Sequence, residues 1–198
     1  MQKDIEALRN ALPKLSARSQ EFAESLLMQA ADRGLTEKQM FWVRKLCEPV
    51  ADTAKANLGD FSRVLGLFAT ASDAGLKHPK VRLQLNDGSP IVLAVAGSNS
   101  RYAGQINVTD GKPFGNNVWY GRVNSEGQFM LSPKIEANTA ACVTALLVNF
   151  ATNPAGVASA YGHATGNCCF CAKTLTDQRS VSVGYGPICA DKYALPWG

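Results

Sequence analysis

Four of the chain's six cysteines fall in its last 31 residues, in the runs Gly166-Asn167-Cys168-Cys169-Phe170-Cys171 and Gly184-Tyr185-Gly186-Pro187-Ile188-Cys189. Two thiolates spaced Cys-x2-Cys face one ion when the backbone between them turns tightly. A third that returns behind a Gly-Pro turn is how a short chain completes most of a zinc site. Cys168, Cys171 and Cys189 are therefore the expected ligands of a structural zinc ion. A structural site takes four donors, and there is no second Cys-x2-Cys pair. His163 is the first candidate for the fourth. Cys169 and Asp191 are the alternatives, and Cys169 points away from the ion if Cys168 and Cys171 both point toward it.

Other thiol chemistry fits less well. The opening run Met1-Gln2-Lys3-Asp4-Ile5-Glu6 has no apolar signal segment, so a reducing cytoplasm is expected and disulfides are not. A redox Cys-x2-Cys opens a helix inside a strand-helix-strand unit, and no such unit surrounds this one. Cys47 and Cys142 lie in helical patterns and are expected in the core.

The elements that must position these thiols are legible from periodicity. Ser16 can cap a helix carrying Phe22, Leu26, Leu27 and Ala30 on one face, stopped by Gly34. Thr36-Glu37-Lys38-Gln39 is a capping-box pattern opening a second helix through Phe41, Trp42, Lys45 and Leu46. A third helix follows Asp60 with Phe61, Val64, Leu65 and Phe68 toward a core. From Lys80 the period changes to two: 81–85 and 91–95 flank the turn Asn86-Asp87-Gly88-Ser89, and strands over 105–108, 117–123 and 128–131 follow. Helical spacing returns over 138–151 through Ala141, Ala145, Leu146 and Phe150, and Pro154 starts another helix. Between Cys171 and Cys189, Thr176-Asp177-Gln178-Arg179 reads as a hairpin tip and Ser180-Val181-Ser182-Val183 as a returning strand, with a short helix over 190–195 closed by Pro196. The fold class is α+β: a helical N-terminal unit (1–76), a basic antiparallel sheet of about five strands (77–135), helices packing on it (136–162) and a treble-clef-like zinc finger (163–198).

Charge singles out the sheet. The net charge is +4, and residues 76–135 carry seven Lys or Arg against Asp87, Asp110 and Glu126, while the rest of the chain balances. A local excess of this kind points to an anionic partner. Rings are interleaved with it, and single-stranded nucleic acid needs both cations along its phosphates and flat rings under its bases. The candidate contacts are Arg82, Arg101, Tyr102, Lys112, Trp119, Tyr120 and Arg122. Strict alternation puts Trp119 and Gly121 on one face and Tyr120 with Arg122 on the other. No nucleophile or acid-base set accompanies the two histidines, His78 and His163, so a non-enzymatic role is expected. No stretch approaches about eighteen consecutive apolar residues, so no membrane span is expected.

Thr165-Gly166-x-Cys168-x-x-Cys171, Leu175-Thr176, Ser180 and Gly184-x-Gly186-Pro187-x-Cys189 together resemble a small zinc-binding domain of unknown function that is widespread in bacteriophage and prophage proteins. The resemblance covers roughly residues 160–195. Gly34 to Gln39 (Gly-Leu-Thr-Glu-Lys-Gln) and Trp119-Tyr120-Gly121-Arg122 also look like the longer phage proteins that end in that finger. The resemblance implies Cys168, Cys171 and Cys189 as ligands, assigns no activity, and associates the chain with nucleic-acid-processing modules. The expectation is a phage-encoded accessory protein of DNA metabolism, in the cytoplasm of the infected bacterium. It would contact nucleic acid, single-stranded DNA favoured, and also a host or phage replication protein. The competing expectation is a phage protein that binds and inhibits or redirects a host protein.

Overall fold

Thr36 and Gln39 cap each other reciprocally: the Gln39 N–H donates to Thr36 Oγ1 at 3.3 Å and the Thr36 N–H to Gln39 Oε1 at 2.9 Å. This capping box fixes the start of the third helix of an N-terminal unit. That unit, Met1–Asp52, is built from α1 (Gln2–Ala11), a 3-10 turn (Leu12–Lys14), α2 (Ala17–Asp32) and α3 (Glu37–Cys47). The structure is a computed structural model describing residues 2–15, 17–47, 54–98 and 100–197. Ser16, the expected cap of α2, lies outside the described residues. Leu8, Ala23, Leu26 and Val43 form the small core of this unit. Phe22, expected on the apolar face of α2, is exposed, as are Phe41 and Trp42 of α3. They meet edge to face, with ring centroids 6.1 Å apart for Phe22–Trp42 and 5.6 Å for Phe41–Trp42.

The second unit, Thr53–Gly198, contains a six-stranded antiparallel sheet of β1 (Lys55–Asn57), β2 (Lys80–Gln84), β3 (Pro90–Val95), β4 (Ile106–Thr109), β5 (Trp119–Val123) and β6 (Gln128–Leu131). The strand order is β1-β6-β5-β4-β3-β2. Five strands lie where the period of two predicts strands, and in β5 the alternation itself is broken. β1, three residues paired to the far edge through Ala56 and Phe129, carries too short a pattern to be read locally. α4 (Ser62–Asp73), α5 (Ala137–Thr152) and α6 (Pro154–Thr165) complete the unit together with two short helices described below. Val64 and Phe68 of α4 join Leu93, Val108, Val123 and Phe129 of the sheet and Leu147 and Phe150 of α5 in one core. α4 thus belongs to this second core, and the N-terminal helical unit expected over 1–76 ends before it. α5 buries Val143, Leu147 and Phe150. Cys142, expected in the core, is exposed, as are Ala141 and Ala145. Among the described residues no single helix is long and apolar enough to cross a membrane.

Candidate metal centre and basic sheet face

The C-terminal cysteines are brought together by a sequence of caps and tight turns. α6 ends at Gly166, whose φ of 70° is the left-handed conformation that favours glycine at a helix end. Asn167 and Thr174 then pair as an isolated antiparallel bridge. Inside this knuckle the Cys168 N–H donates to the Lys173 carbonyl at 2.9 Å and the Ala172 N–H to the Cys168 carbonyl at 2.8 Å. The segment expected as a returning strand is a helix, α7 (Gln178–Val183). Asp177 caps it by accepting from the Ser180 N–H at 2.9 Å, and Gly184 ends it at φ 87°. These two caps outweigh the β-branched alternation: Ser180 is the buried member and Val181 is 49% exposed. α8 (Pro187–Lys192) follows at once, with Pro187 at its start and Cys189 in its first turn. A Cβ on Gly162 would strike the Gly184 backbone, so only glycine lets α6 and the end of α7 come this close.

In this arrangement the Sγ atoms of Cys168, Cys171 and Cys189 all lie within 4.8 Å of one another. Cys168 is buried, Cys189 half-buried and Cys171 exposed. A hydrogen bond shared with the Cys189 thiol pushes the Cys168 thiol down to about 5 against its burial, helped by the backbone N–H groups of Cys171, Gly186 and Phe170. Cys189 moves the opposite way, because it holds the shared proton, is partly desolvated, and faces the charge of Cys168 and Cys171. The donors around Cys168 favour its thiolate form, and two more thiols lie beside it. This donor set fits a thiophilic metal ion.

The three candidates for a fourth donor are placed elsewhere. His163 is exposed on α6, and its Nε2 lies 2.9 Å from the Ser182 carbonyl oxygen, tying α6 to α7. Cys169 is buried, and burial followed by the charge of Cys168 raises its thiol well above the ordinary range. Asp191 is exposed on α8, two residues beyond Cys189.

The module is fastened to the free edge of β2. The Arg82 N–H donates to the Cys169 carbonyl at 2.8 Å, and the Arg82 guanidinium to the Phe170 carbonyl at 2.7 Å. From α8's end, the Tyr193 hydroxyl accepts from the Lys80 N–H and donates to the Lys80 carbonyl, both at 3.1 Å. Phe170 stacks against Tyr193 with centroids 4.1 Å apart. Arg82, expected from the sequence to contact nucleic acid, is therefore a clamp between sheet and knuckle.

The remaining sequence candidates are redistributed by one irregularity. The register passes from Val108↔Gly121 to Thr109↔Trp119, leaving Tyr120 as the extra residue of a β-bulge. The bulge shifts the alternation by one: Tyr120 and Gly121 are both buried, while Trp119 and Arg122 stay half-exposed on the outer face. Tyr120 is thus a core residue, not a surface contact. Lys112 stays exposed, with its Nζ 3.3 Å from the buried Asp110 carboxylate. Arg122, Tyr102 and Arg101 come together: the Arg122 guanidinium sits 3.3 Å from the Tyr102 ring centroid and that of Arg101 5.4 Å. Trp119 lies next to them, 6.0 Å from Arg122. Cross-strand partners share a face, so the pairings give one outer row of Lys80, Ala94, Asn107, Arg122, Met130 and Lys55, and a second of Arg82, Val92, Thr109 and Trp119. Four of those ten side chains are cationic and none is acidic. The sequence alone could not assign this face, because the phase depends on the bulge.

A family model described as a family of unknown function (DUF6011) matches residues 158–194, a span that contains the three clustered cysteines and their intervening helix. No curated protein and no solved structure matches the chain.

Proposed function

We propose that this chain is a non-enzymatic, zinc-stapled nucleic-acid-binding protein of phage DNA metabolism, holding single strands on the outer face of its sheet. The observation that carries the reading is the pair of outer rows without a carboxylate, in which Lys55, Lys80 and Arg122 are the cations besides the clamped Arg82, with the Arg122–Tyr102–Trp119 group on the same face. Lys55, Lys80, Arg101 and Arg122 would follow the phosphates, releasing counterions as they do so. Trp119 would supply the ring for a base, since one face of Tyr102 is already taken by Arg122. Zinc, held by Cys168, Cys171 and Cys189, supplies a fixed charge that locks the knuckle to α8, and through them the edge strand β2. The likeness of residues 160–195 to modules common in phage proteins supports the phage assignment and a place of action in the cytoplasm of the infected host.

The test is titration of the intact, metal-replete chain into labelled single-stranded and duplex DNA and RNA over a range of salt concentrations. Binding that weakens as salt rises, tighter for single strands than for duplex, is expected. A folded protein that shows no salt-dependent binding at low ionic strength overturns the reading and leaves capture of a host protein as the function to pursue.

A further inference from the structure

The C-terminal knuckle, α7 and α8 bring three thiols together, and among the described residues no other His, Cys, Asp or Glu side chain joins the group. His163 is anchored by its Nε2 to the Ser182 carbonyl. The Cys169 backbone accepts from Arg82 at the β2 edge while its side chain is fully buried. Asp191 lies two residues beyond Cys189 on α8, about 200° around a helix that turns by 100° per residue, and so projects from the opposite side. A tetrahedral site still takes four donors.

We propose that this chain supplies three thiolates and no fourth ligand, and that the fourth donor comes from outside the chain as a soft or borderline group, a thiolate or an imidazole. The inference rests on the metal reading above and deepens it: the centre becomes a place of attachment as well as a staple. Two observations favour an external donor. Cys171 is the exposed member of the trio, so the sulfur group meets solvent on that side. Ile188, next to Cys189 in the first turn of α8, is an apolar side chain left 70% exposed. Thiolate and imidazole are the donors that match a site already made of sulfur, where carboxylates and carbonyls suit harder ions. The donor has two sources, a diffusible small molecule or a cysteine or histidine of another chain, and both present the same chemistry to the metal.

Cobalt(II) substitution tests this, because its ligand-field absorption reports the donor set directly. The intact chain is loaded with cobalt at a concentration where it is monomeric, and the spectrum is followed while imidazole or a small free thiol is added. The spectrum is expected to shift and saturate with either ligand, and His163→Ala and Asp191→Asn, both at exposed positions, are expected to give the wild-type spectrum before and after addition. A wild-type spectrum indifferent to both ligands overturns the proposal, as does a changed starting spectrum in either variant. Metal-dependent self-association at higher concentration, reversed by a chelator, assigns the donor to a second chain. A spectroscopic response without self-association assigns it to a diffusible ligand. A folded protein that takes up no cobalt at all refutes the metal reading itself.

Discussion

Arg82 on strand β2 and Phe170 in the cysteine knuckle are joined by a 2.7 Å hydrogen bond from guanidinium to backbone carbonyl, although 88 residues separate them in sequence. The contact makes an arginine that looked like a phosphate ligand into a tie between the sheet and the metal module. Arg82→Met keeps the apolar stem and removes the charged donor. It is expected to lower unfolding free energy by about 1.5–3 kcal/mol, the usual worth of a hydrogen bond to a charged group. Denaturant titration measures this. The salt slope of nucleic-acid binding should be nearly unchanged, and a slope reduced at unaltered stability would return Arg82 to the phosphate contacts.

Trp119, Arg122 and Tyr120 are adjacent in sequence and are expected to fail in different ways. Arg122→Ala should make the salt dependence of single-strand binding shallower by roughly 0.7. Trp119→Ala should weaken binding by about 1–3 kcal/mol with little change of slope, because a stacking ring releases no counterions. Tyr120→Ala removes a buried ring and should cost about 3–5 kcal/mol of stability. Melting curves and binding isotherms on the same three variants separate these outcomes.

In the metal-free protein the Cys168–Cys189 pair sets a pH dependence. The Cys168 thiol is lowered in the folded chain to about 5 from its ordinary 9.0, so its contribution to stability is complete above the ordinary value and disappears as pH falls through about 5. Cys189 is raised, so its contribution is complete below the ordinary value and declines as pH climbs beyond it. Stability of the chelator-treated, reduced protein is therefore expected to rise from about pH 5 toward 9 and then fall. Denaturation midpoints across that range check it, and Cys168→Ser should flatten the rise.

Gly162→Ala tests the close approach of α6 to Gly184. The added methyl has nowhere to go without moving backbone, and overpacking of this sort costs about 1–3 kcal/mol. Because the displaced segment leads into α8, metal retention against a competing chelator should fall along with the melting temperature. A variant with wild-type retention would show that the two helices separate without disturbing Cys189.

The parts of this molecule visible in its sequence are those fixed by local chemistry. The Thr36–Gln39 box forms as written. The Asn86-Asp87-Gly88-Ser89 turn closes with the Leu85 N–H donating to the Ser89 carbonyl at 2.9 Å. Cys168, Cys171 and Cys189 converge because their spacing and the Gly-Pro turn leave few other arrangements. What escaped reading depends on partners distant in sequence. β1 exists only because Ala56 finds Phe129. The bulge at Tyr120 is a mismatch between two strands, and neither strand carries its mark alone. α7 is a different kind of miss: Asp177 and Gly184 were present as cap residues, and the Ser-Val alternation between them drew the reading toward a strand.

The way the knuckle and Tyr193 sit on β2 bears on how the protein behaves when metal is scarce. Lys80 and Arg82 carry the backbone groups that an open sheet edge would offer to another strand, and here they are occupied by Tyr193 and Cys169. With an ion held as proposed, its loss would loosen both covers together, since one follows Cys168 and the other follows Cys189. The uncovered edge, backed by the buried Val81 and Leu83, would then template strand addition between copies. Metal starvation should therefore drive the protein into β-rich aggregates before it drives it into an unfolded chain.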